Sequence, residues 1–143
     1  MTVRVLAFDE LDASTAYDVW RLRQQVFVVE QQSPYPDLDG RDAEPGTRHL
    51  LSEADGALVA YARVLDDGEW ARIGRVLVAP EARGRGLADE LVRVALEIIG
   101  DREVRLDAQT GLRDWYASHG FVVTGPAFDE DGVMHVPMRR PRA

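Results

Sequence analysis

An apolar run, an arginine- and glycine-rich turn and an amphipathic helix follow one another in the middle of the chain. Residues 76–79 have the apolar content of a buried strand, and residues 83–86 alternate arginine with glycine. A helix is then predicted, stopped by Gly100, whose buried face carries Leu87, Leu91, Val94, Ala95, Ile98 and Ile99. A buried strand joined to an amphipathic helix by such a turn predicts a sheet with a helix packed on one face.

The preceding half predicts a short helix and an antiparallel meander. Residues 3–8 alternate as a first strand, and Asp12 or Ser14 is a candidate N-cap for a helix with apolar positions Ala16, Val19, Trp20, Val26 and Phe27. Residues 31–46 hold three prolines and two glycines, which predicts an irregular loop of a length that often lies over a site. Three strands, joined at Asp-Gly turns, are predicted over residues 49–52, 57–65 and 70–78.

After the central helix, the pattern predicts a strand at residues 104–107, a short helix at 112–119 ended by Gly120, and two strands at 121–124 and 134–138. An antiparallel first half followed by alternating strands and helices indicates a mixed α/β sheet. At 143 residues we expect one domain spanning residues 1–143.

The composition argues against several classes of function. A net charge of −8 argues against general nucleic-acid binding, and no apolar run is long enough to cross a membrane, so a cytoplasmic protein is expected. There is no cysteine, which excludes a thiolate nucleophile and a cysteine-based metal site, and no metal site is predicted. All 17 basic residues are arginine, which excludes lysine chemistry.

The segment Arg83-Gly84-Arg85-Gly86-Leu87-Ala88 combines three features of a pyrophosphate site. A helix N-terminus presents unpaired N–H groups and the positive end of the helix dipole. Glycines let the backbone approach a phosphate closely, and arginines bind its oxygens. Residues 72–85 hold four arginines against one glutamate, so this stretch is locally positive in an acidic chain.

This segment resembles the acyl-CoA motif of the GNAT acetyltransferases, Gln/Arg-x-x-Gly-x-Gly/Ala, met here by Arg83, Gly86 and Ala88. Residues 115–121 look like the family's Tyr-x-x-x-Gly-Phe element, with Tyr116 in the tyrosine position. Residues 26–31, 39–42, 72–76 and 130–135 resemble the ElaA-like branch, and the resemblance extends in order over most of the chain.

The resemblance implies a GNAT-type mixed, mostly antiparallel, splayed sheet and the transfer of acetyl from acetyl-CoA to an amine by direct attack. It implies that the main chain of Val76, Leu77 and Val78 holds the pantetheine and polarises the carbonyl, with Gln109 as a further contact. Tyr116 is then the candidate general acid, because a phenol stays protonated at neutral pH. Four candidates remain open for the base that deprotonates the amine: Glu30, His49, Asp107 and His135.

Two other functions are compatible with parts of the sequence. A dinucleotide-binding domain would use the same glycines with Asp107 on the ribose, but Asp89 stands where the third glycine belongs. A sensor that binds acyl-CoA without turnover would keep the glycines and lose the chemistry, and the tyrosine at position 116 argues against it. The acceptor, a small molecule or peptide amine, is not identified by the sequence, and a homodimer is left open.

Overall fold

The structure, a computed structural model, describes residues 3–143. Within that range the chain forms eight strands: β1 (Val3–Leu6), β2 (Arg48–Ala54), β3 (Ala57–Asp66), β4 (Trp70–Val78), β5 (Glu103–Gln109), β6 (Val122–Val123), β7 (Phe128–Glu130) and β8 (Val133–Arg140). The same residues form three α-helices, α1 (Ala13–Arg23), α2 (Leu87–Ile99) and α3 (Arg113–Ala117). A π-helical segment, Gln24–Glu30, continues α1. Short 3-10 turns lie at Phe8–Glu10, Arg41–Ala43, Pro80–Ala82 and Thr110–Leu112.

The described strands form one open sheet in the order β1-β2-β3-β4-β5-β8-β6, with β7 paired to β8. Neighbouring strands are antiparallel except β4 and β5, which are parallel. The predicted mixed, mostly antiparallel sheet is therefore confirmed. A dinucleotide-binding domain needs a sheet in which nearly all strands are parallel, so that alternative is wrong.

The parallel pair β4 and β5 separates after a short distance. Pairing runs from Trp70 opposite Glu103 to Arg72 opposite Arg105 and ends there. On the other edge of β4 the register with β3 shifts, and Arg75 has a φ of 53°, which marks a β-bulge at this position. Because a bulge bends its strand, residues 73–78 diverge from β5 and their main chain on that side has no strand partner within residues 3–143.

Helix α1 begins where the sequence predicts. The Asp12 side chain accepts a hydrogen bond of 2.7 Å from the Thr15 main-chain N–H, so Asp12 rather than Ser14 is the N-cap. Val19 of α1 and Val26 of the π-helical segment pack with Leu51, Tyr61 and Leu77 on one face of the sheet. The predicted apolar positions thus form a core, and the seven-residue π segment is the part that the sequence did not indicate.

Helix α2 covers the opposite face of the sheet. Its buried residues are Leu87, Leu91, Val92, Ala95 and Ile99. The sequence placed Ile98 on this face, but that side chain is 42% exposed, and Val92 is buried instead. A helical stripe drifts around the axis along its length, because 3.6 residues per turn do not divide evenly into the spacing of the apolar positions.

The last third of the sheet differs from the expected layout in one element. Strand β7, which the sequence analysis did not predict, pairs with β8 across Asp131 and Gly132. Both turn residues have positive φ, 52° and 84°, as a two-residue type I′ hairpin requires. The Asp-Gly signal for this hairpin was present in the sequence. Helix α3 is also shorter than predicted, since a 3-10 turn takes up residues 110–112.

Candidate functional site

The turn before α2, residues 83–88, forms an open notch that we call the cradle. Gly84 and Gly86 have positive φ values of 81° and 76°, and no heavy atom lies within 4 Å of the position a Cβ would occupy on either. Residues 83–86 are exposed, and Gly86, the N-cap of α2, offers no side chain to the first helical N–H groups. An exposed turn with open space at its glycines and no side-chain cap on the helix fits a pyrophosphate group.

The first arginine of the cradle is already engaged. The guanidinium of Arg83 forms two hydrogen bonds of 2.9 Å with the Glu30 carboxylate, and its Nε donates to the Val78 carbonyl at 3.0 Å. Arg83 thereby connects the π-helical segment to the end of β4. A bound phosphate must share Arg83 with Glu30 or displace it, whereas the glycine N–H groups have no such competitor.

The other three arginines of the positive stretch point in different directions. Arg72 Nη1 lies 3.5 Å from Asp107, a carboxylate of the cleft described below, and Arg75 Nε lies 2.8 Å from the buried Asp37. Arg85 contacts the main-chain carbonyl of Glu81 at 3.4 Å. Among the arginines of residues 72–85, Arg85 is therefore the one whose charge no carboxylate of the described chain neutralises.

A cleft of about 510 Å³ opens where β4 and β5 separate. Its sides come from β4, β5, the start of α3, the β7–β8 hairpin and the loop after the π-helical segment. The Ser33 hydroxyl donates a 2.6 Å hydrogen bond to the main-chain carbonyl of Asp131, which joins the loop to the hairpin at the rim.

One side of the cleft, residues 33–47, is held by buried ion pairs, and we call it the wall. Arg23 of α1 is completely buried and donates from Nε to Asp37 at 2.9 Å and from Nη1 to Asp42 at 2.5 Å. Its Nη2 donates to the main-chain carbonyl of Asp37 at 2.8 Å. A buried charge is tolerated only when paired and hydrogen bonded, and here each partner meets that condition.

Arg63 of β3 extends this network towards the cleft. Its two Nη atoms donate to the two carboxylate oxygens of Asp39 at 2.9 Å each. Burial favours the neutral carboxyl, but the hydrogen bonds from Arg63 and from the Arg41 main-chain N–H, together with the charges of Arg63 and Arg75, outweigh it and lower the pKa of Asp39 to about 2. Asp39 also lies 3.4 Å from Arg75, so a single carboxylate connects two strands to the wall.

Tyr116 of α3 lines the cleft and is 7% exposed. Its ring packs edge-on against Trp115 and Phe121. Within residues 3–143 the hydroxyl has no hydrogen-bond partner, and burial raises the pKa of Tyr116 to about 12. The side chain therefore presents a protonated phenol to the cleft, the state that a general acid needs.

Helix α3 is tied to the first turn of α2 by one carboxylate. Asp89 Oδ1 accepts a 2.8 Å hydrogen bond from Trp115 Nε1 and lies 2.9 Å from His119 Nε2. Trp115 and His119 flank Tyr116 along the chain. Asp89 thus fixes the position of the tyrosine relative to the cradle, a role that sequence reasoning missed because only the fold brings the two helices together.

Two of the four candidate bases lie outside the cleft. Glu30 is bound to Arg83, whose hydrogen bonds lower the pKa of its carboxyl. His49 is completely buried, with Nδ1 at 2.5 Å from the Tyr61 hydroxyl and Nε2 at 3.0 Å from the Asp42 carbonyl. Burial lowers the pKa of His49, and both ring nitrogens are occupied. Neither group is placed to take a proton from a substrate in the cleft.

The other two candidates, Asp107 and His135, line the cleft. Asp107 near the end of β5 is 36% exposed and has Arg72 as its ionic neighbour. His135 of β8 is opposite Gln109 in the register, so the histidine and the predicted pantetheine contact stand side by side at the end of β5. The structure thus brings Tyr116, Gln109, Asp107 and His135 to one cleft.

The three β4 residues predicted to contact the cofactor differ in their surroundings. Val76 lines the cleft, and Leu77 directs its side chain into the core beneath α1, leaving only its main chain for a ligand. Val78 gives its carbonyl to Arg83. All three belong to the stretch of β4 that has parted from β5.

Comparison with known proteins agrees with this geometry. The family model described as an acetyltransferase (GNAT) domain matches residues 12–141. A UPF0039 protein of Mycobacterium tuberculosis is 47% identical over 143 residues, which cover 96% of this chain and 91% of the relative.

Two crystal structures are similar along nearly the whole chain. Escherichia coli ElaA has a TM-score of 0.93 and 38% identity, covering 98% of this chain and 99% of that one. An acyl-CoA N-acyltransferase from Pseudomonas aeruginosa has a TM-score of 0.90 and 35% identity, with the same coverage of 98% and 99%.

Proposed function

Since the chain belongs to the GNAT acetyltransferase family and its ElaA-like branch, we propose that it transfers acetyl from acetyl-CoA to an amine by direct attack in a ternary complex. The observation that carries the proposal is the separation of β4 from β5 directly beside the cradle. That separation frees main-chain groups of β4 at the point where a thioester anchored in the cradle would lie. We also propose a cytoplasmic location.

Two groups of residues bind the two parts of acetyl-CoA in this proposal. The N–H groups of Gly84, Gly86 and the first turn of α2, with Leu87 and Ala88, hold the pyrophosphate, and Arg85 supplies the charge that no carboxylate neutralises. The main chain of Val76 to Val78 and the side chain of Gln109 hold the pantetheine arm. Acetyl-CoA supplies an activated carbonyl, and a β4 N–H that donates to its oxygen contributes up to about 3 kcal/mol in comparable acyl transfers.

Tyr116 is the proposed general acid. Its phenol is protonated at neutral pH, burial raises its pKa further to about 12, and its side chain lines the cleft with no hydrogen-bond partner for the hydroxyl in the described chain. It can give its proton to the sulfur as the carbon–sulfur bond breaks. No covalent enzyme intermediate is needed, which agrees with the absence of cysteine.

A thiol-release assay tests the transfer. Acetyl-CoA is incubated with the protein and a panel of polyamines, aminoglycosides, amino acids and peptides with free N-termini, and free thiol is followed by absorbance. Turnover with at least one amine is the expected result. Tight acetyl-CoA binding by calorimetry without turnover of any amine would favour the sensor function instead.

Replacing Tyr116 by Phe tests the acid. The ring contacts with Trp115 and Phe121 remain, and only the hydroxyl is lost. We expect kcat to fall by about 10²–10⁴-fold, while cofactor affinity and Tm change little. Tyr17→Phe, on the exposed side of α1, is the matched control and should leave kcat unchanged. A kcat within about three-fold of the parent together with reduced stability would make Tyr116 a packing residue.

A further inference from the structure

The imidazole of His135 is held in one orientation by its own strand and by β7. Its Nδ1 lies 2.8 Å from the main-chain carbonyl of Val133, and its ring stacks on Phe128 with the centroids 6.0 Å apart. A carbonyl oxygen only accepts, so Nδ1 must carry the proton. In the neutral ring Nε2 is then an unprotonated acceptor.

That acceptor nitrogen has no hydrogen-bond partner within the described part of the chain. The side chain is 14% exposed and lines the same cleft as Tyr116 and Gln109. It differs in this respect from His49, whose two ring nitrogens are both bonded, and from His119, whose Nε2 meets Asp89. Of the three histidines, His135 alone combines a fixed tautomer, a free acceptor and access to the cleft within residues 3–143.

We propose that Nε2 of His135 is the general base that removes the proton from the attacking amine, an inference that rests on the proposed acetyl transfer. The amine nitrogen forms its bond to the acyl carbon and passes one proton to His135. Tyr116 gives its proton to the departing sulfur. The imidazolium then returns a proton through water to the phenolate, so that amide and thiol are the products and the enzyme is unchanged.

The charged groups around His135 support this assignment. Glu130 of β7 lies 3.7 Å from Nδ1, on the side away from the acceptor nitrogen, where it stabilises the imidazolium that forms. Asp131 of the hairpin, Asp107 of β5 and Asp39 of the wall also line the cleft, together with Arg72 and Arg75 of β4. Both arginines are paired with carboxylates, so their charge near the base is offset.

Histidine-selective ¹⁵N labelling tests the geometry without any acceptor. The chain has three histidines, and His135→Gln assigns the resonance of interest by its disappearance. At a pH where the ring is neutral, the expected spectrum is that of the Nδ1-protonated tautomer. A spectrum of the Nε2-protonated tautomer would overturn the proposal, because the acceptor nitrogen would then be blocked.

Kinetics test the role itself, using the panel amine that the parent turns over fastest, with n-butylamine as reference. The side-chain amide of His135→Asn can still donate to the Val133 carbonyl, but it has no atom at the Nε2 position. This second variant therefore keeps the test valid if His135→Gln fails to fold. Both variants should lose about 10²-fold or more in kcat/KM near neutral pH. In the parent the rate falls at low pH as the base is protonated. In the variants the part of this fall that comes from the base should vanish, and the part that comes from protonation of the amine, which the parent shares, should remain.

Met134→Gln is the matched control, since Met134 is 46% exposed on the neighbouring position of the same strand and should leave the pH profile unchanged. An unaltered acid limb in both His135 variants would overturn the proposal. If Asp107→Asn changed the acid limb and the His135 variants did not, that result would also overturn the proposal and would assign the role of the base to Asp107. If no amine is turned over by the parent, the proposed function fails, and the tautomer measurement still decides the geometry of His135.

Discussion

Arg23 in the wall and Arg85 in the cradle carry the same charge in opposite surroundings. Arg23 is completely buried, and two aspartates and a main-chain carbonyl satisfy its guanidinium. Arg85 is exposed and has one weak contact with a main-chain carbonyl at 3.4 Å. The charge of the wall is therefore neutralised inside the fold, whereas the charge of Arg85 stays exposed and unpaired in the described chain, as the proposed pyrophosphate site requires.

The largest expected effect comes from breaking the wall at its buried centre. Arg23→Met would remove the completely buried cation between Asp37 and Asp42 and leave each with one remaining arginine, Arg75 and Arg63, and we expect a loss of about 3–5 kcal/mol in the free energy of unfolding. Urea unfolding followed by circular dichroism measures it. Arg21→Met, an exposed position of the same helix, should cost less than about 0.5 kcal/mol. Equal losses in both variants would mean that the buried network contributes nothing special.

Breaking the cradle should instead remove binding and spare the fold. Gly86→Val places a β-branched side chain in a left-handed conformation at the helix start, where the N–H groups must reach the ligand. Acetyl-CoA affinity by calorimetry should fall beyond detection, with about 1–2 kcal/mol of backbone strain in stability. NADH should show no comparable binding to the parent.

Gly56→Val supplies the control for that strain. Gly56 also has a positive φ, 79°, and open space around it, but it lies in the hairpin between β2 and β3. It should lose similar stability and keep the parent's affinity for acetyl-CoA. Unchanged affinity in the Gly86 variant would remove the cradle from the proposed binding site.

A change of pH should have a smaller effect on the stability of the protein, and this effect arises from a carboxylate of the wall. The pKa of Asp39 is depressed from 3.8 to about 2, so the folded state is stabilised above pH 4 and loses that contribution as the pH falls to about 2. Asp39→Asn should therefore be less stable than the parent at pH 5, and the gap should close between pH 4 and pH 2. Thermal unfolding across this range measures it. A gap that stays constant down to pH 2 would contradict the assignment.

The smallest effect is expected where the two regions meet. The Glu30–Arg83 pair is 41% and 46% exposed, so Glu30→Gln should cost less than about 1 kcal/mol in stability. The freed Arg83 can then turn to the pyrophosphate, and acetyl-CoA affinity at low salt should rise a few-fold. Glu81→Gln, also beside the cradle, is a charge-matched control. Weaker binding in the Glu30 variant would show that the pair positions the cradle and does not compete with the ligand.

The sequence predicted the elements whose signals are local. The strand, glycine turn and helix around residues 76–99 and the Asp-Gly hairpins follow from spacing and turn chemistry, and the structure confirms them. The π-helical winding after α1 gave no such signal. Strand β7 was missed although its Asp131-Gly132 turn was readable, because its three residues are too few for a periodic pattern.

The site was harder to predict because it depends on pairings between distant residues. The sequence named Tyr116 as the acid, but for the base it could not separate Asp107 and His135 from Glu30 and His49, which are removed only by ion pairing and burial. The wall could not be foreseen either. Arg23, Arg63 and Arg75 lie on a helix and two strands, and they pair with three aspartates of one loop. No single segment of the sequence contains both partners of these ion pairs.

An enzyme that handles a thioester is itself exposed to chemical acylation, which modifies side-chain amines without a catalyst. Apart from the three histidines, every basic side chain in this sequence is a guanidinium, including those of Arg83 and Arg85 at the cradle. A guanidinium stays protonated at physiological pH and is a poor nucleophile. In the proposed complex, Arg83 and Arg85 would therefore keep their charge however long the protein is held with acetyl-CoA, and the sequence has no lysine side chain for the thioester to acylate.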